Sequence, residues 1–168
     1  MDGGPVFYRH KRIGRGGRLF DCYKFRTMIV GAHDLFDEFL AFHPSVVAEW
    51  QEAQKLDLDP RITSAGRFLR RTSLDEMPQL LNVIRGEMSL VGPRPVTQPE
   101  LQRYGAHVRE YLTVRPGLTG LWQVSGRNRL TYAERVALDV RYIQTRSIWF
   151  DFGILLRTIV VLLRGDGK

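Results

Sequence analysis

The chain has 168 residues, enough for one domain with its own hydrophobic core. Its 25 Lys and Arg against 18 Asp and Glu give a net charge of +7 and a pI near 10.0. This balance favours an anionic partner such as nucleic acid, a phosphorylated substrate or a membrane surface. The one cysteine excludes a disulfide framework and a cysteine-based zinc site, and a cytoplasmic location is expected. No run is long and apolar enough to predict a membrane-spanning helix.

The first predicted element is a β-hairpin. Val6 to Arg12 and Leu19 to Met28 have strand-like patterns, and the glycine-rich run between them is typical of a turn. That run is not a phosphate-binding loop, because such loops lead into a helix and here a strand follows. Lys24 and Arg26 share one face of the second strand, since side chains alternate along a strand. Two cations on one face suit an anionic ligand, although a solvated polar face explains them equally well.

Residues 30–56 are predicted to form an amphipathic helix that is interrupted at Pro44. Its apolar stripe consists of Leu35, Phe39, Phe42 and Val46. Directly after this helix, the run Asp57-Leu58-Asp59 matches a short Asp-x-Asp pattern that can bind a metal. Three residues are a weak signal, and an Asp-Pro pair is also a common turn start. This run is therefore only a minor candidate for a metal site.

Residues 70–95, with the sequence RRTSLDEMPQLLNVIRGEMSLVGPRP, place adjacent carboxylates at a predicted helix start. Ser73 and Glu76 fit a capping box. Asp75 fits as the cap itself, because Pro78 is tolerated only in the first turn of a helix. Either arrangement puts Asp75 at a helix N-terminus. There the free N–H groups and the helix dipole would keep a carboxylate ionised and attract a phosphate.

Acidic residues at a helix start are often no more than capping groups. The surrounding charge favours a functional site, because Arg70 and Arg71 precede the acidic pair and Arg94 follows it. A basic run interleaved with apolar residues could face phosphates or lipid headgroups. Its members are Arg61, Arg67, Arg70 and Arg71.

The second half of the chain is predicted to contain a helix at 96–111, a turn at 115–120 and a strand at 121–126. Thr131 and Glu134 form a second capping-box pattern at the start of another helix. The apolar residues of that helix follow at helical spacing and are Tyr132, Val136, Val140 and Ile143.

The stretch 148–163 is apolar except for Asp151, Gly153, Arg157 and Thr158. A helix that is apolar around most of its circumference is either buried in the core or lies in a membrane interface. The ionisable residues and the length argue against a helix that spans the bilayer. The sequence leaves the other two arrangements equally open.

Three blocks of this sequence resemble one known family. They read GGPVFYRHKRIGRGGRLFDCYKFRTM, DPRITSAGRFLRRTSLDEMPQLLNVIRGEMSLVGPRP and RPGLTGLWQVSGRN. From about Gly4 onward the chain is similar to the bacterial sugar transferase family, the monotopic polyprenyl-phosphate phosphoglycosyl transferases. The resemblance implies a mixed α/β (α+β) fold in a single catalytic domain, residues 1–168. This domain would be mostly helical, with a small N-terminal β-hairpin and amphipathic helices at the membrane interface.

The resemblance also implies a reaction. Family members move a sugar-1-phosphate from a nucleotide diphosphate sugar, usually a UDP-sugar, to a polyprenyl phosphate, with Mg²⁺ as cofactor and UMP as leaving group. By this resemblance Asp75 attacks the sugar-linked phosphorus and forms an acyl phosphate. Glu76 positions or tunes the pair, and Mg²⁺ sits near Asp75. The residues expected to hold the diphosphate and the nucleotide are Lys24, Arg26, Arg70 and Arg94.

The sequence departs from the family pattern at its start. Family members carry a hydrophobic helix that enters the membrane before the first block, and this sequence begins at Met1 without one. We therefore expect either the catalytic domain of a longer protein or a naturally short form. The expected partners are a UDP-sugar, a polyprenyl phosphate and the anionic surface of the inner membrane, on its cytoplasmic face. A homo-oligomer is a further possibility.

Two alternatives remain at this point. One is a relative that keeps the fold but has lost turnover. The other is a basic module that binds nucleic acid, which the net charge of +7 allows. Nucleic acid is not the expected partner, because such a module gives no reason for the Asp75-Glu76 pair.

Overall fold

The computed structural model describes residues 3–42, 47 and 59–163, and the chain in these ranges is mostly helical. The helices are α1 (Ala32–Phe42), α2 (Ser64–Thr72), α3 (Gln79–Ile84), α4 (Gln98–Gln102), α5 (Val108–Leu112), α6 (Leu121–Ser125), α7 (Tyr132–Thr145) and α8 (Ile148–Leu163). The strands are β1 (Phe7–Ile13), β2 (Leu19–Phe25), β3 (Ser89–Val91) and β4 (Gly117–Thr119). Single 3-10 turns lie at Arg15–Gly17, Leu74–Glu76, Gly105–His107 and Arg127–Arg129. The predicted fold class is confirmed.

The predicted N-terminal hairpin is present. Strands β1 and β2 pair in antiparallel register, with Ile13 opposite Leu19 next to the turn. Gly16 and Gly17 have φ angles of 68° and 80° in that turn, a left-handed conformation that glycine adopts without steric cost. This register carries Lys24 to the far end of β2, beside the segment that holds the acidic pair.

A parallel pair of short strands, β3 and β4, was not predicted. Gly92 and Gly117 allow the pairing, because their backbones approach so closely that a Cβ on either would collide with the main chain of the other. The two strands are far apart in the sequence, and each has only three residues. No local pattern could have indicated the contact between them.

The predicted strand at 121–126 is wrong, because α6 occupies this position. A short apolar run has no decisive period, so it fits a strand or a buried helix equally well. Leu121 and Trp122 are both buried, with 5% of each residue exposed. One helical face can bury two neighbouring residues, whereas an alternating strand would turn one of them to the opposite side.

The continuous helix predicted at 96–111 is also wrong, because α4 and α5 are two short helices joined by a 3-10 turn. Gly105 in that turn has a φ angle of 54°, which breaks a right-handed helix. Helix α4 begins with a capping box in which Thr97 and Glu100 bind each other's backbone N–H groups.

Helix α1 covers the first part of the helix predicted at 30–56, and residues 43–46 and 48–58 lie outside the described ranges. The apolar stripe predicted for this helix does not match the side that α1 buries. Phe36 is the buried side chain, with 5% of the residue exposed, whereas Phe42 is exposed. The Arg61 guanidinium lies over the Phe36 ring at 3.7 Å from its centre and covers it.

Helix α7 forms as predicted. Its capping box joins Thr131 and Glu134, and it packs Val136, Val140 and Ile143 into the core. The largest cluster of buried apolar side chains lies between α4, α5 and α7. It consists of Ile13, Val96, Leu101, Tyr104, Tyr111, Val136 and Val140.

Helix α8 lies on the surface with most of its apolar side chains uncovered. Ile154 is the residue of this helix that is fully buried. The exposed apolar side chains are Ile148, Trp149, Phe152, Leu156, Ile159, Val160, Leu162 and Leu163. Within the described ranges, no helix combines the length and the apolarity needed to cross a bilayer.

Candidate active site

The acidic pair lies in the 3-10 turn Leu74–Glu76, between α2 and α3. Ser73 has a φ angle of 56° and ends α2 by donating its backbone N–H to the Arg70 carbonyl oxygen. The predicted capping box of Ser73 and Glu76 is wrong, because the Ser73 side chain makes no capping hydrogen bond at the start of the 3-10 turn and Glu76 binds Lys24. Helix α3 starts four residues after Asp75, so Asp75 precedes the helix and does not cap it.

Lys24 joins the hairpin to the acidic pair. Its Nζ donates to Glu76 Oε1 at 2.6 Å and lies 4.0 Å from Asp75 Oδ2. Asp75 is buried, with 9% of the residue exposed, and both Lys24 and Glu76 are half-buried. An ion pair screened from water in this way is stronger than one on the surface. One cation thus holds the two neighbouring carboxylates together.

The two carboxylates differ in their electrostatics. Burial raises the pKa of Asp75, with a further rise from Glu76, while Lys24 and Arg70 oppose the shift. Burial also disfavours the charged form of Glu76, but Lys24 and Arg94 hold the pKa of this residue below its usual range. The charged form is therefore favoured more strongly at Glu76 than at Asp75. The neighbouring cations Lys24 and Arg70 favour the ionised form of Asp75, a role that the sequence pattern assigned to a helix N-terminus.

Helix α2 brings Arg70 to the pair. Its Nε donates to Thr27 Oγ1 at 2.9 Å, and Asp75 opposes the fall in the Arg70 pKa that burial causes. Gly66 sets the position of the helix, because a Cβ at this position would collide with the Thr27 carbonyl group. The Arg70 side chain is therefore held at Thr27, from where its charge acts on Asp75.

Arg94 lies in the segment that follows β3 and acts on Glu76. Its carbonyl oxygen accepts a 3.0 Å hydrogen bond from the hydroxyl of the buried Tyr111. The Tyr111 ring packs edge-on against the ring of Tyr104. Tyr104 donates to Asp139 Oδ2 at 2.7 Å, and burial raises the pKa of Asp139 to about 7.

This supporting network was not predicted from the sequence. Asp139 lies between Val136 and Val140 on the buried face of α7, with 1% of the residue exposed. A carboxylate within an apolar stripe is costly unless it accepts hydrogen bonds. The position of an Asp between two apolar residues of the buried stripe was the signal that could have indicated a buried, hydrogen-bonded carboxylate.

Arg26 has a different environment from Lys24. It follows the end of β2, donates from Nε to the Pro5 carbonyl oxygen at 2.7 Å and lies beside Gly4. Lys24 instead contacts the two carboxylates. The role of Arg26 in substrate binding stays a prediction.

Arg127 was not predicted as a site residue, yet its charge also lowers the pKa of Glu76. It lies in the 3-10 turn after α6 with a φ angle of 52°. A small cavity lies beside Glu76 and is lined in part by Lys24, Glu76 and Arg94.

The described residues contain no group of three or more His, Cys, Asp or Glu side chains placed to hold a metal ion. The Asp59 carboxylate of the minor Asp-x-Asp candidate is paired with Arg61 at 2.6 Å, and Asp57 lies outside the described ranges. A cation at the site would therefore need the Asp75 side chain together with oxygen atoms of a substrate and of water. Mg²⁺ is commonly bound in this way in phosphoryl-transfer sites.

Known proteins resemble the whole of this chain. A model of the family described as bacterial sugar transferase matches residues 1–165. The undecaprenyl-phosphate galactose phosphotransferase of Salmonella typhimurium is 54% identical over 99% of this chain and 35% of its own length. The exopolysaccharide production protein ExoY of Rhizobium meliloti is 53% identical over 98% of this chain and 74% of its own length.

A third relative is more distant. The UDP-glucose:undecaprenyl-phosphate glucose-1-phosphate transferase of Caulobacter vibrioides is 44% identical over 97% of this chain and 58% of its own length. The chain thus spans about a third of the length of the Salmonella relative and more of the other two. The family match over nearly the whole sequence, with identities of up to 54%, shows that this chain belongs to the bacterial sugar transferase family.

Proposed function

We propose that this chain is the catalytic domain of a phosphoglycosyl transferase that moves a sugar-1-phosphate from a UDP-sugar to a polyprenyl phosphate. Glycan assembly at the membrane, as in exopolysaccharide or lipopolysaccharide synthesis, would begin with this step. The observation that carries the proposal is the buried Asp75, which lies next to Glu76, has the Lys24 ammonium 4.0 Å away and is also influenced by the charge of Arg70. The activities for which the Salmonella and Caulobacter relatives are named supply the class of donor and acceptor.

The first half-reaction is a displacement at phosphorus. An Asp75 carboxylate oxygen forms a bond to the phosphorus that carries the sugar, and the bond from that phosphorus to the bridging oxygen breaks. UMP leaves with the electron pair of the broken bond. The enzyme then holds the sugar phosphate as an acyl phosphate on Asp75, a type of intermediate that carboxylate nucleophiles form.

The second half-reaction reverses the bond changes with a different partner. A phosphate oxygen of the polyprenyl phosphate attacks the same phosphorus, and the Asp75 carboxylate is regenerated. The product is a polyprenyl diphosphate sugar. Because the donor and the acceptor react in turn, a water-soluble nucleotide and a lipid can use one site without being bound together.

Charge neutralisation is the main task of the site. A diphosphate repels an attacking carboxylate, and phosphoryl transfer depends on positioning and charge stabilisation more than on proton transfer. Lys24 lies 4.0 Å from Asp75, the charge of Arg70 also acts on Asp75, and those of Arg94 and Arg127 act on Glu76. Arginine can bind phosphate oxygens in pairs. Bound Mg²⁺ would supply further neutralisation, held by Asp75 and the diphosphate.

The first test of the proposal is intact mass spectrometry of the protein after incubation with Mg²⁺ and a panel of UDP-sugars. We expect the mass to rise by one sugar phosphate with the correct donor, and UMP to appear in equal amount. This result would also identify the sugar. UDP-sugar binding without an adduct or lipid-linked product would favour a relative that has lost turnover, and RNA binding without UDP-sugar binding would favour the nucleic-acid module.

Membrane association is part of the proposal. The exposed apolar side chains of α8 and the basic helix α2 would contact the cytoplasmic face of the inner membrane. We expect the protein to float with anionic vesicles at low salt and to be released as salt rises. Replacing the exposed Trp149 and Phe152 with Gln should weaken this binding without unfolding the chain. Absence of the wild-type protein from the vesicle fraction at low salt would rule out this part.

A further inference from the structure

Two arginines lie against one tryptophan beyond the acidic pair. The centre of the Arg135 guanidinium is 4.9 Å from the centre of the Trp122 ring, and that of Arg94 is 5.9 Å from it. Arg135 comes from α7, and Trp122 from α6. Both arginines are half-buried, and Trp122 is buried. A cation over an aromatic ring is a favourable contact, but it satisfies no N–H donor.

The hydrogen-bonding capacity of these arginines is mostly unused by the protein. Arg135 donates from Nε to the Leu130 carbonyl oxygen at 3.1 Å. Among the described residues, the Arg94 guanidinium has no hydrogen-bond acceptor, and neither arginine forms a salt bridge. The buried Nε1 of Trp122 also has no acceptor. Half-buried charges are normally paired, because losing water without a partner is costly.

The two like charges also repel each other. Burial lowers the pKa of Arg135, and the charge of Arg94 is the next largest cause of this shift. The charge of Arg94 in turn lowers the pKa of Glu76, and both residues line the same small cavity. The two arginines therefore belong to the surroundings of the Asp75-Glu76 site. An anion between the two guanidinium groups would reduce the repulsion and accept hydrogen bonds from the unused N–H groups. Phosphate fits this role, because its oxygens match the planar fork of arginine.

We propose that Arg94 and Arg135, beside the Trp122 ring, form a second anion subsite that binds the phosphate on the far side of the reacting phosphorus. This inference rests on the proposed function. In the first half-reaction that phosphate belongs to the departing UMP, and in the second to the entering polyprenyl phosphate. The departing UMP and the entering lipid phosphate each lie on the side of the phosphorus opposite Asp75, so one subsite can serve them in turn. Arg135 and Trp122 are the residues that this inference adds to the site.

The test is a binding titration of the full chain with pyrophosphate, UMP and farnesyl phosphate, each used separately. We expect Arg135→Met to weaken pyrophosphate binding by roughly ten- to a hundredfold, since it removes a charge-assisted pair of hydrogen bonds. Arg135→Lys should recover part of this loss. Arg141→Met is the matched control, because Arg141 is exposed on the same helix and the same charge is removed.

The three probes distinguish the source of the phosphate. Weaker UMP binding in Arg135→Met would assign the subsite to the nucleotide, and weaker farnesyl phosphate binding would assign it to the lipid. Weaker binding of both would support the use of one subsite in turn. Equal affinities of Arg135→Met and Arg141→Met for all three probes, or no binding of any probe to the wild-type protein, would overturn the inference.

Failure of this inference can be told apart from failure of the proposed function. If no sugar-phosphate adduct forms but pyrophosphate binding still depends on Arg135, the subsite stands and the transferase reaction does not. If the adduct forms normally and no probe responds to Arg135→Met, the reaction stands and the subsite does not. Thermal unfolding of each variant will show whether the substitution has disturbed the fold.

Discussion

Replacing Asp75 with Asn should abolish the sugar-phosphate adduct and reduce turnover by about 10⁴-fold or more. The Asn side chain has nearly the shape of Asp, so it fits the same buried position. Its neutral amide is a very weak nucleophile towards phosphorus. Intact mass with the correct UDP-sugar measures the adduct, and UMP release measures turnover.

The binding of the UDP-sugar provides the control for this variant. Removing a negative charge beside Lys24 and Arg70 reduces repulsion of the diphosphate, so we expect Asp75→Asn to bind the donor at least as tightly as the wild type. Glu76→Gln should keep the ability to form the adduct at a reduced rate, since Glu76 lies beside the nucleophile and is not itself attacked. An adduct on Asp75→Asn that is absent from Glu76→Gln would mean that the two roles are exchanged.

Replacing Lys24 with Met should slow adduct formation by roughly 10²- to 10³-fold, because it removes a half-buried cation from beside the reacting groups. It should also change the pH dependence. Burial already raises the pKa of Asp75, and Lys24 opposes that rise. Without Lys24 the pKa of Asp75 moves higher still. Since the ionised carboxylate is the nucleophile, the acid limb of the pH–rate profile should shift to higher pH.

Lys11→Met is the matched control for Lys24→Met. Lys11 lies on the same hairpin, pairs with Asp21 at 2.9 Å on the surface and carries the same charge. We expect its pH–rate profile to coincide with that of the wild type. An acid limb that stays in place in Lys24→Met, in a protein that remains folded, would show that Lys24 does not control the ionisation of Asp75.

The sequence was sufficient to place the residues that local patterns determine. The hairpin and α7 follow from strand alternation, from the glycine turn and from the capping box of Thr131 and Glu134. The motif blocks located Lys24 and Asp75, which the fold brings within 4.0 Å of each other although they are distant in the chain. The proposed catalytic roles of these residues still await the experiments above.

What the sequence could not provide depends on long-range contacts. The side chain of Glu76 fits a local capping box, yet it binds Lys24 of the hairpin, since Ser73 has a left-handed backbone conformation and its side chain forms no cap. The parallel strands likewise depend on the close approach of Gly92 and Gly117. A residue such as Asp139 can be recognised as unusual within an apolar stripe, but its hydrogen-bond partner Tyr104, 35 residues away in the chain, cannot be identified from the pattern.

The exposed apolar side of α8 has a practical consequence for anyone who purifies this chain. In a buffer without detergent or lipid, two copies can cover these side chains by placing them against each other, since such burial is favourable whatever the partner. A dimer observed under those conditions would then be a consequence of the detergent-free buffer and would give no information about the oligomeric state at a membrane. Oligomeric state is therefore best measured in mild detergent or lipid nanodiscs, where an association that persists must use a different surface.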